Sequence, residues 1–396
     1  MKEKILFIID SLNCGGAEKS LVSLLPLLNK EKYEISLWML SPTGPFVSLI
    51  PKDVRVIQHP SYNQFEKLKL RISHLYYSLL IRIMRFLNIK ENYAETLWKC
   101  IGWAYKIPEE EWDAVFAYQQ GFPTYLVAKK FETPKKFAWV NANIFAEGYN
   151  AKFNSKYYCR FTRIVPVSSI LRDLMLEKLP EFKGKYSVVY DIQNPNLIRT
   201  LSGEQVSNLR TELNEYVFVT VARLVPPKGY DIAVKAASIL KQHGVKFHWY
   251  FVGEGPERPN IEKWKKELGV EKEVVLLGLQ TNPYAYMAQA DVYVQPSRSE
   301  GFGLTIGEAK ILGKPIVSTN FEVVYNQLTH EQNGLIADMT SESVAENILR
   351  LMTDVKLRDS IITAVKAEEN RTYISEVAKV ELLIDSDYED LNHNLS

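Results

Sequence analysis

The chain has 396 residues, 46% hydrophobic and 24% charged, enough for two ordinary domains with their own cores and too apolar for global disorder. Net charge is +1, yet residues 1–190 carry +9 and residues 191–396 carry −8, so the two halves suit different partners. Cys14, Cys100 and Cys159 are unclustered and odd in number, which leaves no disulfide framework or zinc spacing and fits a reducing cytoplasm.

The first apolar run, residues 5–9 (ILFII), is short and is closed by Asp10, so it reads as a strand rather than a signal peptide. A loop and a helical pattern at 17–28 follow it. Apolar strand, polar loop and amphipathic helix make the βα unit of a parallel sheet. Further strands are expected at 35–40, 54–57, 114–118, 136–140, 164–167 and 188–190. The same unit restarts at 216–222 (YVFVTVA), with a helix at 230–242, and strands follow at 247–252, 274–277, 292–295 and 315–318. Two doubly wound α/β domains are therefore expected, 1–194 and 195–374. Pro195 biases Asn194 away from helix at their junction. A last helix near 375–390 is expected in the segment 375–396.

One segment interrupts the rhythm. Residues 62–106 are rich in Leu, Ile, Tyr and Arg and carry Lys67, Lys69, Arg71, Arg82, Arg85, Lys90, Lys99 and Lys106 against Glu66, Glu91 and Glu95. Ile72, Leu75, Tyr76, Leu79, Leu80, Ile83, Met84 and Leu87 recur at helical spacing. This reads as one or two amphipathic helices with basic flanks, which either dock on an anionic membrane surface or cover their own domain's core. No run of about 18 apolar residues, the length needed to span a bilayer, occurs.

The chemistry concentrates in residues 292–308. A buried strand ends at Pro296, a loop Ser297 to Gly303 follows, and a helix begins near Leu304 and Thr305. Ligands of open α/β sheets bind beyond the carboxyl ends of strands. Gly301 and Gly303 admit a ligand close to the backbone. The first N–H groups of the helix favour an anion such as a diphosphate. Glu300 and Glu308 would be repelled by that diphosphate unless they faced hydroxyl groups of a sugar and a ribose; alternatively they satisfy the helix dipole. Arg223 and Lys228, in RLVPPKG after the strand 216–222, place two cations on a stiff loop, for a leaving diphosphate or as solvated surface charge. Gly15 and Gly16 lie between the first strand and helix, as a phosphate cap or a plain turn. Gly253, Gly278 and Leu279 end two other strands and could wall a nucleotide base. The only D-x-D, Asp385-Ser386-Asp387, reads as solvated surface. The six histidines lack metal spacing.

These strings resemble glycosyltransferase family 4, retaining enzymes of the GT-B fold found in capsule and lipopolysaccharide synthesis. The matching segments are GGAE at 15–18, VARLVPPKGYD at 221–231, FVGEGP at 251–256, LLG at 276–278 and ADVYVQPSRSEGFGLTIGEAKILGKPIVST at 290–319. The resemblance implies two Rossmann-like domains facing across a cleft. Arg223 and Lys228 would hold the donor diphosphate, Glu300 the sugar and Glu308 the ribose. The backbone of Gly301, Phe302, Gly303, Leu304 and Thr305 would lie against sugar and phosphate. It further implies a nucleotide-sugar donor (UDP before GDP), no cofactor and no metal. The implied partners are a glycan or lipid-linked acceptor and no nucleic acid. The implied location is cytoplasmic, peripheral on the inner face of the membrane. The chain departs from the family at Asn141, in Trp139-Val140-Asn141-Ala142-Asn143, where a histidine is common; an amide binds a hydroxyl but does not titrate. Gln120 is a second amide near the expected cleft. A nucleotide-sugar epimerase of the same fold and a catalytically silent nucleotide-sugar-binding protein are the rival readings. The amides argue against the first, and Asn141 keeps the second open.

Overall fold

A computed structural model of the chain describes residues 1–13, 15–87, 89, 92–145, 149–210, 212, 214–368 and 371–386; Cys14, Lys90, Glu91 and Asp387 lie outside them. The chain divides into two compact units, Met1–Ile192 joined by the chain from Ser375 onward, and Gln193–Ile374.

The front unit is built on six parallel strands, β1 (Glu3–Ile9), β2 (Tyr33–Met39), β3 (Arg55–Val56), β4 (Ala114–Ala117), β5 (Lys135–Val140) and β6 (Arg163–Pro166), in the order 3-2-1-4-5-6. Its helices are α1 (Gly16–Leu24), α2 (Gln64–Phe86), α3 (Tyr93–Ile101), α4 (Phe122–Lys130), α5 (Ala151–Tyr158) and α6 (Ser169–Lys178). Strands buried on both faces read as continuous apolar runs, as ILFII does. Register aligns Phe7, Phe116 and Phe137 on adjacent strands, and their rings stack at 4.6 Å in both steps. The sheet thus gains an aromatic ladder through its centre.

The rear unit repeats the plan with β7 (Tyr216–Val221), β8 (Phe247–Val252), β9 (Val274–Gly278), β10 (Val292–Gln295), β11 (Ile316–Thr319) and β12 (Leu335–Ala337), ordered 12-11-10-7-8-9. Its helices are α7 (Pro195–Ser202), α8 (Tyr230–Gln242), α9 (Arg258–Glu267), α10 (Tyr284–Gln289), α11 (Leu304–Ile311), α12 (Ser341–Thr353) and α13 (Val355–Ala367). In both sheets the winding direction reverses beside the first strand, between β1 and β4 and between β7 and β10. Those reversals are where such folds bind ligands.

The expected strand at 188–190 does not form. Val189 donates to the Pro166 carbonyl of β6, but Tyr190 donates out of the sheet, to Glu376 at 2.8 Å, so the pairing does not continue. Strand β12 was not expected, because three residues (LIA) give too short a period to read. Helix α1 stops at Leu24, since Pro26 has no N–H to continue it. Residues 62–106 resolve into two helices, α2 and α3, and α2 starts at a capping box in which Asn63 and Glu66 exchange side-chain and main-chain bonds at 2.9 Å.

The last helix, α14 (Arg371–Asp385), belongs to the front unit from Ser375 onward. Glu381 accepts the Asn29 N–H at 2.8 Å, and Asp385 takes Lys32 at 2.8 Å and the Tyr33 hydroxyl at 2.5 Å. Asp385 is exposed, as expected, and also ties the helix to the front unit.

Candidate functional site

At the rear switch point, β7 and β10 release two loops side by side. The β7 loop carries Arg223, Pro226-Pro227, Lys228 and Gly229; the β10 loop runs from Pro296 to Gly303. Gly229 is left-handed (φ +66°), and a Cβ there would sit 1.9 Å from the Pro296 carbonyl oxygen. Only glycine lets the two loops approach this closely. Arg298 completes the join: its N–H donates to the Pro227 carbonyl at 2.7 Å and its guanidinium grips Asp231 through two bonds of 2.7 Å.

Glu300 is held on every side. Oε2 meets Lys228 Nζ at 2.5 Å, and Oε1 accepts from Gln295 Nε2 at 2.6 Å and Ser297 Oγ at 2.7 Å. Gln295 is itself fixed, because its Oε1 accepts the Tyr293 hydroxyl at 2.5 Å and the Thr305 hydroxyl at 3.0 Å. Two neutral donors and one cation thus fix the carboxylate in place. Arg223 differs from Lys228. Its side chain is exposed and has no ion-pair partner among the described residues.

Helix α11 begins at Gly303, left-handed at φ +87°, with no side chain capping its first N–H groups. Gln327 Nε2 bonds the Phe302 and Gly303 carbonyls at 2.5 and 3.2 Å, and Gln193 bonds the Leu304 carbonyl, so side chains fix the turn through its carbonyls. Neither glutamate lies in the first turn of α11: Glu300 precedes the helix, and Glu308 is its fifth residue. The dipole reading of this pair therefore fails. Glu308 is buried and accepts the Tyr284 hydroxyl at 3.1 Å. Gly253, at the end of β8, donates to the carbonyl of Gly278 at the end of β9, and Leu279 beyond it is exposed. The cavity of about 450 Å³ lined by Tyr216, Lys314, Leu351, Arg358 and Lys366 lies at the amino ends of the rear strands, away from these loops.

The front switch point has its own polar cluster. Gln119 Oε1 accepts the Asp10 N–H at 3.3 Å, and Gln120 Oε1 accepts the Asn141 N–H at 3.0 Å. Two consecutive amides thus tie the carboxyl ends of β1, β4 and β5. Both polar atoms of the Asn141 side chain are sealed from solvent without a hydrogen-bond partner among the described residues. Burial, then the charge of Glu18, pushes Asp10 up to about 6. Burial also raises Asp191 to about 7, with Ser20 opposing and Glu18 adding to the rise. Gly15 and Gly16 open α1, but a Cβ on Gly15 would sit 2.1 Å from Glu18 Oε2. The Glu18 carboxylate thus folds back toward Gly15.

Sequence reasoning missed Gln295, Ser297, Tyr284, Arg298 and Asp231. Gln295 did carry a signal, as the one amide in the apolar strand VYVQ.

Known proteins share this plan. A glycosyltransferase of Rickettsia africae superposes with a TM-score of 0.68 at 17% identity, covering 99% of both chains. HepE of Anabaena, solved with UDP and glucose, gives 0.69 at 17%, covering 97% of this chain and all of that one. At this identity the likeness shows the fold: two Rossmann-like units of the GT-B class. Residues 203–368, within the rear unit, match the family described as "Glycosyl transferases group 1". Among curated relatives, a lipopolysaccharide core biosynthesis glycosyltransferase of Rhizobium meliloti is 32% identical over 45% of this chain and 51% of its own. A Campylobacter jejuni N-acetylgalactosaminyltransferase acting on a diphospho-undecaprenol-linked sugar is 26% identical over 90% of this chain and 92% of its own. The chain spans about half the length of the first two curated relatives, 51% and 56%.

Proposed function

We propose that the protein is a retaining, metal-independent glycosyltransferase. It moves a sugar from a nucleotide-sugar, UDP-linked, to a glycan or lipid-linked acceptor of the cell surface, working in the cytoplasm at the inner face of the membrane. The observation that carries this is the fixed Glu300–Lys228 pair beside the uncapped start of α11, at the rear switch point. The HepE complexes with UDP support the base, and the Campylobacter relative supports a lipid-linked acceptor.

The residues divide the work. Arg223, free of any partner among the described residues, meets the donor diphosphate, together with the N–H groups opening α11. Lys228, held in place by Glu300, donates to the leaving group, while Glu300 accepts from a sugar hydroxyl. Glu308 accepts from the ribose, and Gly253, Gly278 and Leu279 flank the base. The bond from the anomeric carbon to the diphosphate oxygen breaks. A bond to the acceptor oxygen forms on the same face, and the acceptor's proton passes to the departing phosphate oxygen. That route needs no titrating group at Asn141. The Gly15–Gly16 loop, which opens α1, caps the phosphates from the front unit.

The test is donor binding followed by transfer. UDP-sugars should raise the melting temperature by mass action more than GDP-sugars. Product should form with the anomeric configuration of the donor, at an unchanged rate in EDTA. Inverted product or loss of rate in EDTA refutes the mechanism. Conversion of the nucleotide-sugar without acceptor favours the epimerase. Binding without transfer to any acceptor favours the silent protein.

A further inference from the structure

Helix α2 has three faces, each with a different chemistry. At 3.6 residues per turn, Ser73, Ile81 and Met84 fall on one side, and these are its buried residues. Phe65, Leu68, Ile72, Leu75, Tyr76, Leu79, Ile83 and Phe86 fall on a second side, and all are 45–89% exposed. That stripe runs the length of a 23-residue helix, about 34 Å, and is about 100° wide. The third side, directly adjoining the stripe, carries Lys67, Arg71, Arg82 and Arg85, all exposed. Glu66 is the helix's one acidic residue, and Lys106 neutralises it at 2.9 Å. The sequence left open whether this helix docks on an anionic membrane surface or covers its own core. One side of it covers the core, and the other two are exposed.

We infer that α2 docks on an anionic lipid bilayer, lying in the interface with the Leu68–Leu79–Phe86 stripe immersed and the adjoining arginines and lysines among the headgroups. An apolar stripe of this extent is not left in water without an occupant. The charges decide which occupant. A second copy of the chain pairing its stripe here would bring like charges together, since no acid on these two faces answers the cations. A nucleic acid would satisfy the cations and leave the apolar stripe wet. An anionic bilayer satisfies both faces at once. The inference rests on the proposed function only for its purpose, bringing the enzyme to an acceptor confined to that surface.

The test is flotation of the full chain with vesicles of phosphatidylcholine alone and with about 30% phosphatidylglycerol. Binding is expected to the anionic vesicles only, weakening as salt rises from about 50 to about 500 mM. Leu75→Ser with Leu79→Ser should weaken it at least about tenfold. Arg71→Gln with Arg82→Gln should weaken it about 25-fold, about fivefold per charge. All four side chains are exposed, so both variants keep the parent's melting profile; should the leucine pair not, the arginine pair still decides. Failure to float with anionic vesicles overturns the inference. So does equal binding to neutral vesicles, or a lipid-free dimer that the leucine pair abolishes. Transfer to a soluble acceptor separates the two proposals. Its survival in a chain that ignores vesicles sinks the docking alone, and its absence in a chain that floats sinks the proposed function alone.

Discussion

Lys228→Met removes the cation that faces Glu300 and leaves a carboxylate with only neutral donors. The pair is enclosed, with side chains 17% and 10% exposed and 2.5 Å between charges. Breaking a buried pair from one side costs about 3–5 kcal/mol, and the remaining exposure puts this one near about 3. For a unit the size of Gln193–Ile374 each kcal/mol lowers the melting temperature by about 2–4 °C, so the rear unit should melt about 6–12 °C lower. Glu300→Gln should do comparable harm, because its amide nitrogen would face Lys228 donor to donor. The double variant should recover part of the loss, with a coupling of about 2 kcal/mol. Scanning calorimetry of the four proteins reads the cycle directly. Additive single effects, within about 0.5 kcal/mol, would show that the two side chains are not coupled, and the preorganised site described above would fall with them.

Arg223→Ala should leave stability within about 0.5 kcal/mol of the parent, because the side chain is exposed and unpaired among the described residues. Transfer, measured as product per minute, should fall about 100-fold; a drop in melting temperature with transfer intact contradicts its role. Gly229→Ala should destabilise the rear unit by about 2–3 kcal/mol, read as a lower urea midpoint at unchanged slope, since a Cβ meets the Pro296 carbonyl at 1.9 Å and the backbone is left-handed. Asp191→Asn tests the front unit by pH. Its carboxyl is raised from the usual 3.8 to about 7, so the folded chain holds a proton that the unfolded chain has released. Stability from this group therefore falls as pH rises from about 4 to about 7 and is flat above. The variant should gain on the parent over that window by up to about 4 kcal/mol, at 1.36 kcal/mol per pH unit. Parallel pH profiles for the two proteins would refute it.

What the sequence determined alone was the periodic part. Apolar runs such as ILFII and VYVQ, each closed by a loop and a helix, specify βα units. Repeating them twice specifies two parallel sheets, because strands buried on both faces have no other economical partner. The loop after β10 was also readable, since glycines and a helix start are local properties. Residues 188–190 and β12 were misjudged because their state depends on who takes their N–H groups, which no local pattern states. Tertiary structure alone decided who meets whom. Glu300 is 72 residues from Lys228, and Arg298 is 67 from Asp231. Only the side-by-side placement of β7 and β10 makes either pair. The same holds for Gln119 and Gln120, consecutive in the chain yet serving different neighbouring strands. Helix α2 shows the division most clearly: its spacing fixed an amphipathic helix, but spacing is blind to which side the rest of the chain covers. The fold covered Ser73, Ile81 and Met84 and left the leucines in solvent.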